Sequence, residues 1–312
     1  MRAFVVAASL ALSAAASPAL AWNGRGHMVV AAIAWDQMTP AARAKASELL
    51  KLNPQYATWT ASTPEPEKGH IAFLRAATWP DFIRTAPGYR DDKISAPEAS
   101  QEVGYALDKL RHTYWHYKDL PFSPDGTPVQ QPLAPNAETQ IRAFTATLAS
   151  SSASDDVKAY DLAWILHLVG DVHQPLHATS RYTSDLPNGD RGGNEVVVCR
   201  ATATSCSETK GKPLHTFWDH ALGESDRTDS AIAKARTMAK APATKAAITD
   251  SAAWLNESLS VAKTAVYATP IKASHGPFTL TNAYEVKAGS YAERRVALAG
   301  ARLARLLNAP FQ

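Results

Sequence analysis

Along most of the chain apolar residues recur at intervals of three and four, the period of an amphipathic helix, and strand-like alternation is scarce. Thr39 followed by Pro40 has the chemistry of an N-cap and a first helical position, which predicts a helix over 40–51. The same spacing predicts helices over 159–174 and 281–308 and across the Ala-rich stretch 228–267. Residues 187–200, PNGDRGGNEVVVCR, break the pattern, because turn formers run into β-branched residues; a small hairpin is expected there. Segments rich in Pro, Ser and Asp at 60–67, 85–98 and 121–135 read as loops, none long or uniform enough to be an interdomain linker. The expected architecture is all-α, a multi-helix domain with one small β-hairpin.

Composition adds exclusions. The 312 residues are 46% hydrophobic and 20% charged, a balance that fits neither a disordered chain nor an integral membrane protein. A formal net charge of +3 supplies no strong basic field, so any contact with nucleic acid must come from a local site. The first 21 residues carry one Arg, an apolar run from Ala3 to Ala15, Pro18, and small residues at Ala19 and Ala21. That is the pattern of a cleaved signal peptide; the run is shorter than the roughly 20 residues that span a bilayer. Cleavage after Ala21 would leave one domain over 22–312, exported to a periplasm or beyond the cell, with no stable membrane association. In such a compartment Cys199 and Cys206 are expected to close one local disulfide; as half of a metal site they lack partner ligands at short spacing.

The informative chemistry lies in ten histidines. In ILHLVGDVHQPLH, His167 and Asp171 are four apart on one helical face, and His177 follows beyond Pro175, which should end the helix. A second pair at the same spacing, His215 and Asp219, follows Pro213. Random placement would give about 0.5 such pairs in a chain of this composition. Either pair alone is more often a hydrogen-bonded structural pair; two together point to a metal centre. Imidazole and carboxylate without thiolate suit zinc, and an open coordination position would make the chemistry hydrolytic. Asp81 in TWPDFIR, His116 in YWHYKD and His27 near the mature start are further candidates. Asp81 could instead be an N-cap after Pro80, and His116 a packed member of an aromatic cluster.

The segments WNGRGH, WPDFIR, WHYKD, HLVGDVHQPLH, GDRGGN and LHTFWD, in that order, resemble the S1/P1 nuclease family, whose fold resembles bacterial zinc-dependent phospholipase C. They run from Trp22 to Asp219, about two-thirds of the chain. The resemblance implies a phospholipase C/P1 nuclease-like helical domain with three zinc ions. One would be held by Asp81, His116, His167 and Asp171, a second by His177, His215 and Asp219, and a third by Trp22, His27 and Asp171. Trp22 can serve only once cleavage frees its α-amine, whose ordinary pKa of about 8 lets zinc displace a proton. The precursor should therefore lack the third ion.

The same resemblance gives Asp81 the orienting of the attacking water and Arg84 the grip on the phosphate, where a guanidinium fork can hold two oxygens. Tyr117 and Asp119 would stack on and hydrogen-bond a base, and Asn194 is a further substrate contact with turn chemistry as its alternative. Fungal members often carry Phe where Tyr117 stands, which preserves stacking. Because a duplex hides base faces, single-stranded RNA and DNA are the expected substrates, cleaved to 5′-phosphorylated products by a monomer; 3′-nucleotidase action is a further expectation. Zinc-dependent phospholipase C is the nearest rival, and a secreted module with structural zinc the next. Asp219 where the phospholipases carry Glu, the Tyr117/Asp119 pocket and GDRGGN favour the nuclease. His70, His112, His173, His220 and His275 match no ligand position; His173, 240° round the helix from His167, should face away from the metals.

Overall fold

Several of the longer helices in this chain start at a residue whose side chain caps them. The computed structural model describes residues 22–92 and 104–311; the expected signal peptide lies outside these residues, as does the 85–98 loop beyond residue 92. Asn23 accepts from the Gly26 N–H and opens α1 (Gly24–Gln37); Thr39 accepts from Ala42 N–H and opens α2 (Pro40–Leu50) with Pro40 in its first turn. Short α3 (Tyr56–Thr60) leads to α4 (Glu65–Ala76), which has Glu65 and Glu67 at its N-terminal end and Arg75 in its last turn, matching the helix dipole. After α5 (Trp79–Ile83) and α6 (Gly104–Leu107), a 3-10 turn at Thr113–His116 precedes α7 (Ala137–Ala149), started by a capping box between Asn136 and Thr139.

The centre of the molecule is α8 (Asp155–Asp171), in which every residue from Ala159 to Asp171 is buried. A helix buried all round has no solvent face, so its polar residues His167 and Asp171 must find partners inside. It packs against α1, α2, α4, α5, α6 and α7, and against the long C-terminal α13 (Asn282–Asn308). Trp79, Trp164 and Tyr160 meet edge to face beside it, and His112 stacks on Trp115 at 3.6 Å. The helix ends before Pro175, as the sequence predicts, and a second 3-10 turn, Pro175–Ala178, follows.

The Ala-rich 228–267 stretch is broken into α10 (Thr228–Thr237), α11 (Ala243–Ala246) and α12 (Ser251–Val261), the last running into a π turn at Ala262–Val266. Pro242 stands just before α11, and the Asp250 carboxylate caps Ala252 N–H to restart the chain as α12. The expected hairpin also differs in placement. Of residues 187–200 only β3 (Val197–Cys199) is a strand; it pairs antiparallel with β4 (Lys212–Pro213) and parallel with β5 (Phe278–Thr279). The glycine-rich half remains a turn because it serves α9 (Leu214–Asp219), as described below. A separate pair, β1 (Pro121–Phe122) and β2 (Ser180–Arg181), ties the loop after the 3-10 turn to the chain beyond His177. Cys199 and Cys206 form the expected disulfide. No helix among the described residues is long and apolar enough to cross a membrane.

Candidate metal centre

Four helices, α1, α5, α8 and α9, and two 3-10 turns converge below one cavity. On α8, the His167 Nδ1–H donates to the Ala77 carbonyl at 2.8 Å, which leaves Nε2 as the lone-pair nitrogen of the neutral ring. That nitrogen lies 3.2 Å from Asp171 Oδ2, 2.9 Å from His116 Nδ1 and 3.8 Å from Asp81 Oδ1. His27, on α1, stacks on His167 at 3.8 Å and places Nε2 3.3 Å from Asp171 Oδ1. Beside them, His177 Nδ1–H donates to the His116 carbonyl at 2.8 Å and His215 Nδ1–H to Gly192 O at 2.6 Å. Their Nε2 atoms consequently face each other at 2.9 Å, with Asp219 Oδ1 3.7 Å from His215 Nε2.

Two imidazole lone pairs at that separation repel unless a proton or a cation lies between them. Burial, and next the His177 imidazole beside it, push the His215 imidazole down to about 3, so a proton on His215 is disfavoured at neutral pH. Burial likewise pushes His116 down to about 4 and lowers His27. Burial would raise the Asp171 carboxyl, but His167 and His116 hold it well below the usual carboxylate range; Asp81 is lowered for the same reason. Both oxygens of Asp171, both ring nitrogens of His27 and Nε2 of His116 are buried without a hydrogen-bond partner. Such unpartnered imidazole nitrogens and carboxylate oxygens, buried side by side, fit a divalent cation.

Three groups have ligand atoms within 4.8 Å of one another and could hold a metal: His27, His167 and Asp171; Asp81, His116 and His167; and His177, His215 and Asp219. All eight side chains in these groups are among those singled out in the sequence. Trp22, the ninth expected ligand, is buried beside them, its indole N–H donating to Gly170 O at 3.0 Å, one residue before Asp171. Asn23 N–H donates to Asp219 O at 3.1 Å, so residues 22 and 23 are pinned between α8 and α9.

The cavity above, about 200 Å³, is lined by Arg84, His116, Tyr117, Asp119, His177 and Asn194 among others. Arg84 places Nη1 3.4 Å from Asp81 Oδ1 and is almost buried. Tyr117 is 40% exposed, and Asp119 is half-buried, its carboxyl pushed up to about 7 by burial and by the Asp190 charge. Asn194 reaches the cavity, but its amide donates to Arg191 O at 2.7 Å, the turn role given as its alternative.

Three positions escaped the sequence reading. Arg191, exposed on the cavity wall, lies inside the quoted GDRGGN and its charge was the available signal. Gln174 donates to Asp219 Oδ1 at 2.7 Å, and Gly192 supplies the carbonyl that orients His215. Gly192 has φ +63, and a Cβ there would lie 2.4 Å from Leu176 O, so the turn cannot carry a side chain. Of the histidines left unassigned, His173 does face away, bonding Val169 O and Arg302.

No individually curated protein matches the chain closely enough to count as a relative. The family model described as S1/P1 Nuclease matches residues 22–312, from the buried Trp22 through the C-terminal helix that carries none of the quoted motifs. With that span covered, the chain belongs to the S1/P1 nuclease family, metal-dependent hydrolases acting on nucleic acid.

Proposed function

We propose that the protein is an exported, monomeric zinc-dependent endonuclease, single-domain over 22–312, that hydrolyses single-stranded RNA and DNA to 5′-phosphorylated products, 3′-phosphates of mononucleotides included. The observation that carries this reading is the packing of three histidine–aspartate groups beneath a cavity walled by two arginines and an exposed tyrosine. Asp81, His116, His167 and Asp171 would hold one zinc, His177, His215 and Asp219 a second, and Trp22, His27 and Asp171 a third. Zinc bound there supplies a water that deprotonates near neutral pH and positive charge against the phosphate.

The remaining work falls to the chain's own side chains. Asp81, 14% exposed where the other residues of these groups are buried, can accept a hydrogen bond from the attacking water and fix its direction of approach. Arg84, steadied by Asp81, presents its guanidinium to the phosphate oxygens as charge builds on them. Tyr117 offers a ring face to an unpaired base, worth roughly 1 to 3 kcal/mol. The Asp119 carboxyl, near half-ionised at neutral pH, can donate to or accept from the edge of that base. Asn194 lines the same cavity and would be a further contact.

The test is hydrolysis by the mature protein beginning at Trp22 of single-stranded RNA and, separately, phosphatidylcholine, with and without a zinc chelator. Chelator-sensitive release of 5′-mononucleotides with intact lipid is expected. The Asp81→Asn variant should stay helical by circular dichroism and lose at least about 100-fold in kcat, the usual scale for a positioned acid–base group. Lipid cleavage without nucleotide release would transfer the assignment to phospholipase C, and persistent turnover in the variant would remove Asp81 from the mechanism.

A further inference from the structure

Tyr117 lines two cavities. Beyond the one over the metal centre lies a second, about 340 Å³, bounded by Tyr114, Tyr182 and the loop that carries Gln130, Gln131 and Leu133. Thr113, Tyr117 and Asp119 belong to both, so the spaces are contiguous and the Tyr117 ring stands at their junction. The loop wall is held in place: Asp125 accepts from Ser184 N–H at 2.9 Å and Thr127 N–H at 3.1 Å, and Ala137 N–H donates to Tyr117 O at 3.1 Å. A cavity so tied requires little ordering when a ligand enters.

The two cavities differ in charge. Arg84 and Arg191 line the first. The cation of the second is Lys118, which is paired with Glu138. Phosphate therefore belongs over the metal centre, and the second cavity suits something flat, uncharged and edged with donors and acceptors. Leu133 is 66% exposed on its rim, beside the exposed amides of Gln130 and Gln131, which can donate and accept alike.

Resting on the nuclease reading above, we propose that the second cavity is a subsite for the next nucleoside of the strand, so that the Tyr117 ring separates two successive bases. Glutamine amides satisfy any base edge, so the subsite reads strand length and single-strandedness and not sequence. A duplex could not enter, because its base faces are already covered.

The test is kcat/KM for single-stranded oligonucleotides of two to five nucleotides, at low and raised salt, for the wild-type protein and Gln131→Ala/Leu133→Ala. In the wild type, kcat/KM should step up about tenfold at the length that first fills both cavities and then flatten, the scale of one base stack. The step should persist at raised salt and in Tyr117→Phe, and collapse in Tyr117→Ala and in the double variant. A wild-type profile without a step, a step that salt abolishes, as one made by phosphate charge would be, or a full step in the double variant would overturn the proposal. Failure to cleave any length would instead remove the nuclease reading on which it rests.

Discussion

At the scale of single residues, a histidine that donates one nitrogen to a backbone carbonyl has its other nitrogen fixed as an acceptor. His167, His177 and His215 are all set this way, by Ala77, His116 and Gly192. His112 is the contrasting case. It is fully buried between Asp108, 2.8 Å away, and Asp92, 2.9 Å away, in a left-handed backbone conformation, and stacks on Trp115. Burial opposes its charge, but the two carboxylates prevail and raise its pKa. A raised folded-state pKa gives stability that is complete below the unfolded value of about 6.5 and lost as pH rises through the folded one. His112→Gln should therefore cost about 1 to 3 kcal/mol at pH 6 and distinctly less at pH 9, by urea denaturation with zinc present. An equal cost at both pH values would mean that His112 is held neutral. Apart from the WHYKD motif that includes the candidate ligand His116, no local signal separates it from His112 four positions before. Both are aromatic-flanked histidines, and only the approach of Asp92 and Asp108 separates them.

At the scale of elements, local signals were legible and non-local ones were not. The Thr39 cap, the end of α8 before Pro175 and the extent of α13 follow from near neighbours in the chain and agree with the structure to within a few residues. The partners of β3 could not be read, since Phe278–Thr279 lies far along the chain and is too short to announce itself as a strand. The approach of α1 to α8 had no local signal and was implied only by the ligand set the resemblance gave to His27 and Asp171. Gly170 makes it possible, because a Cβ there would lie 2.9 Å from His27 Nδ1. Gly170→Ala thus sets a helix-propensity gain of about 1 kcal/mol against an overpacking cost of about 1 to 3 kcal/mol. We expect a net loss of stability, with His27 displaced and the zinc content of purified protein reduced by one ion. A stabilised variant with unchanged zinc content would show that His27 can yield without leaving its place.

At the scale of the whole molecule, the candidate centre is a junction between distant parts of the chain. Trp22 and Asn23 pin the chain before α1 to α8 and α9, and α13, which carries none of the quoted motifs, supports α8 from behind. There Arg302 is fully buried and binds Glu257 and the His173 ring, while Arg295 holds the His173 carbonyl. The eight side chains that could hold metal were legible because helical spacing and motif order are local; the scaffold was not, because buried charge pairs depend on packing. Without a cation, the junction holds facing lone pairs on His177 and His215 and a buried Asp219 whose carboxyl burial raises well above its ordinary value. Zinc binding the folded state at 100 times its dissociation constant stabilises by about 2.7 kcal/mol per site, and a domain of this size shifts by about 2 to 4 °C per kcal/mol. Chelation of all three sites should therefore lower the melting temperature by on the order of 20 °C, and added zinc should restore it. A version with one extra Ala before Trp22 should recover only part of that rise, because an amide nitrogen replaces the α-amine. An unchanged melting temperature on chelation would mean that these groups hold no metal, and a full recovery in the extended protein would exclude the Trp22 amine as a ligand.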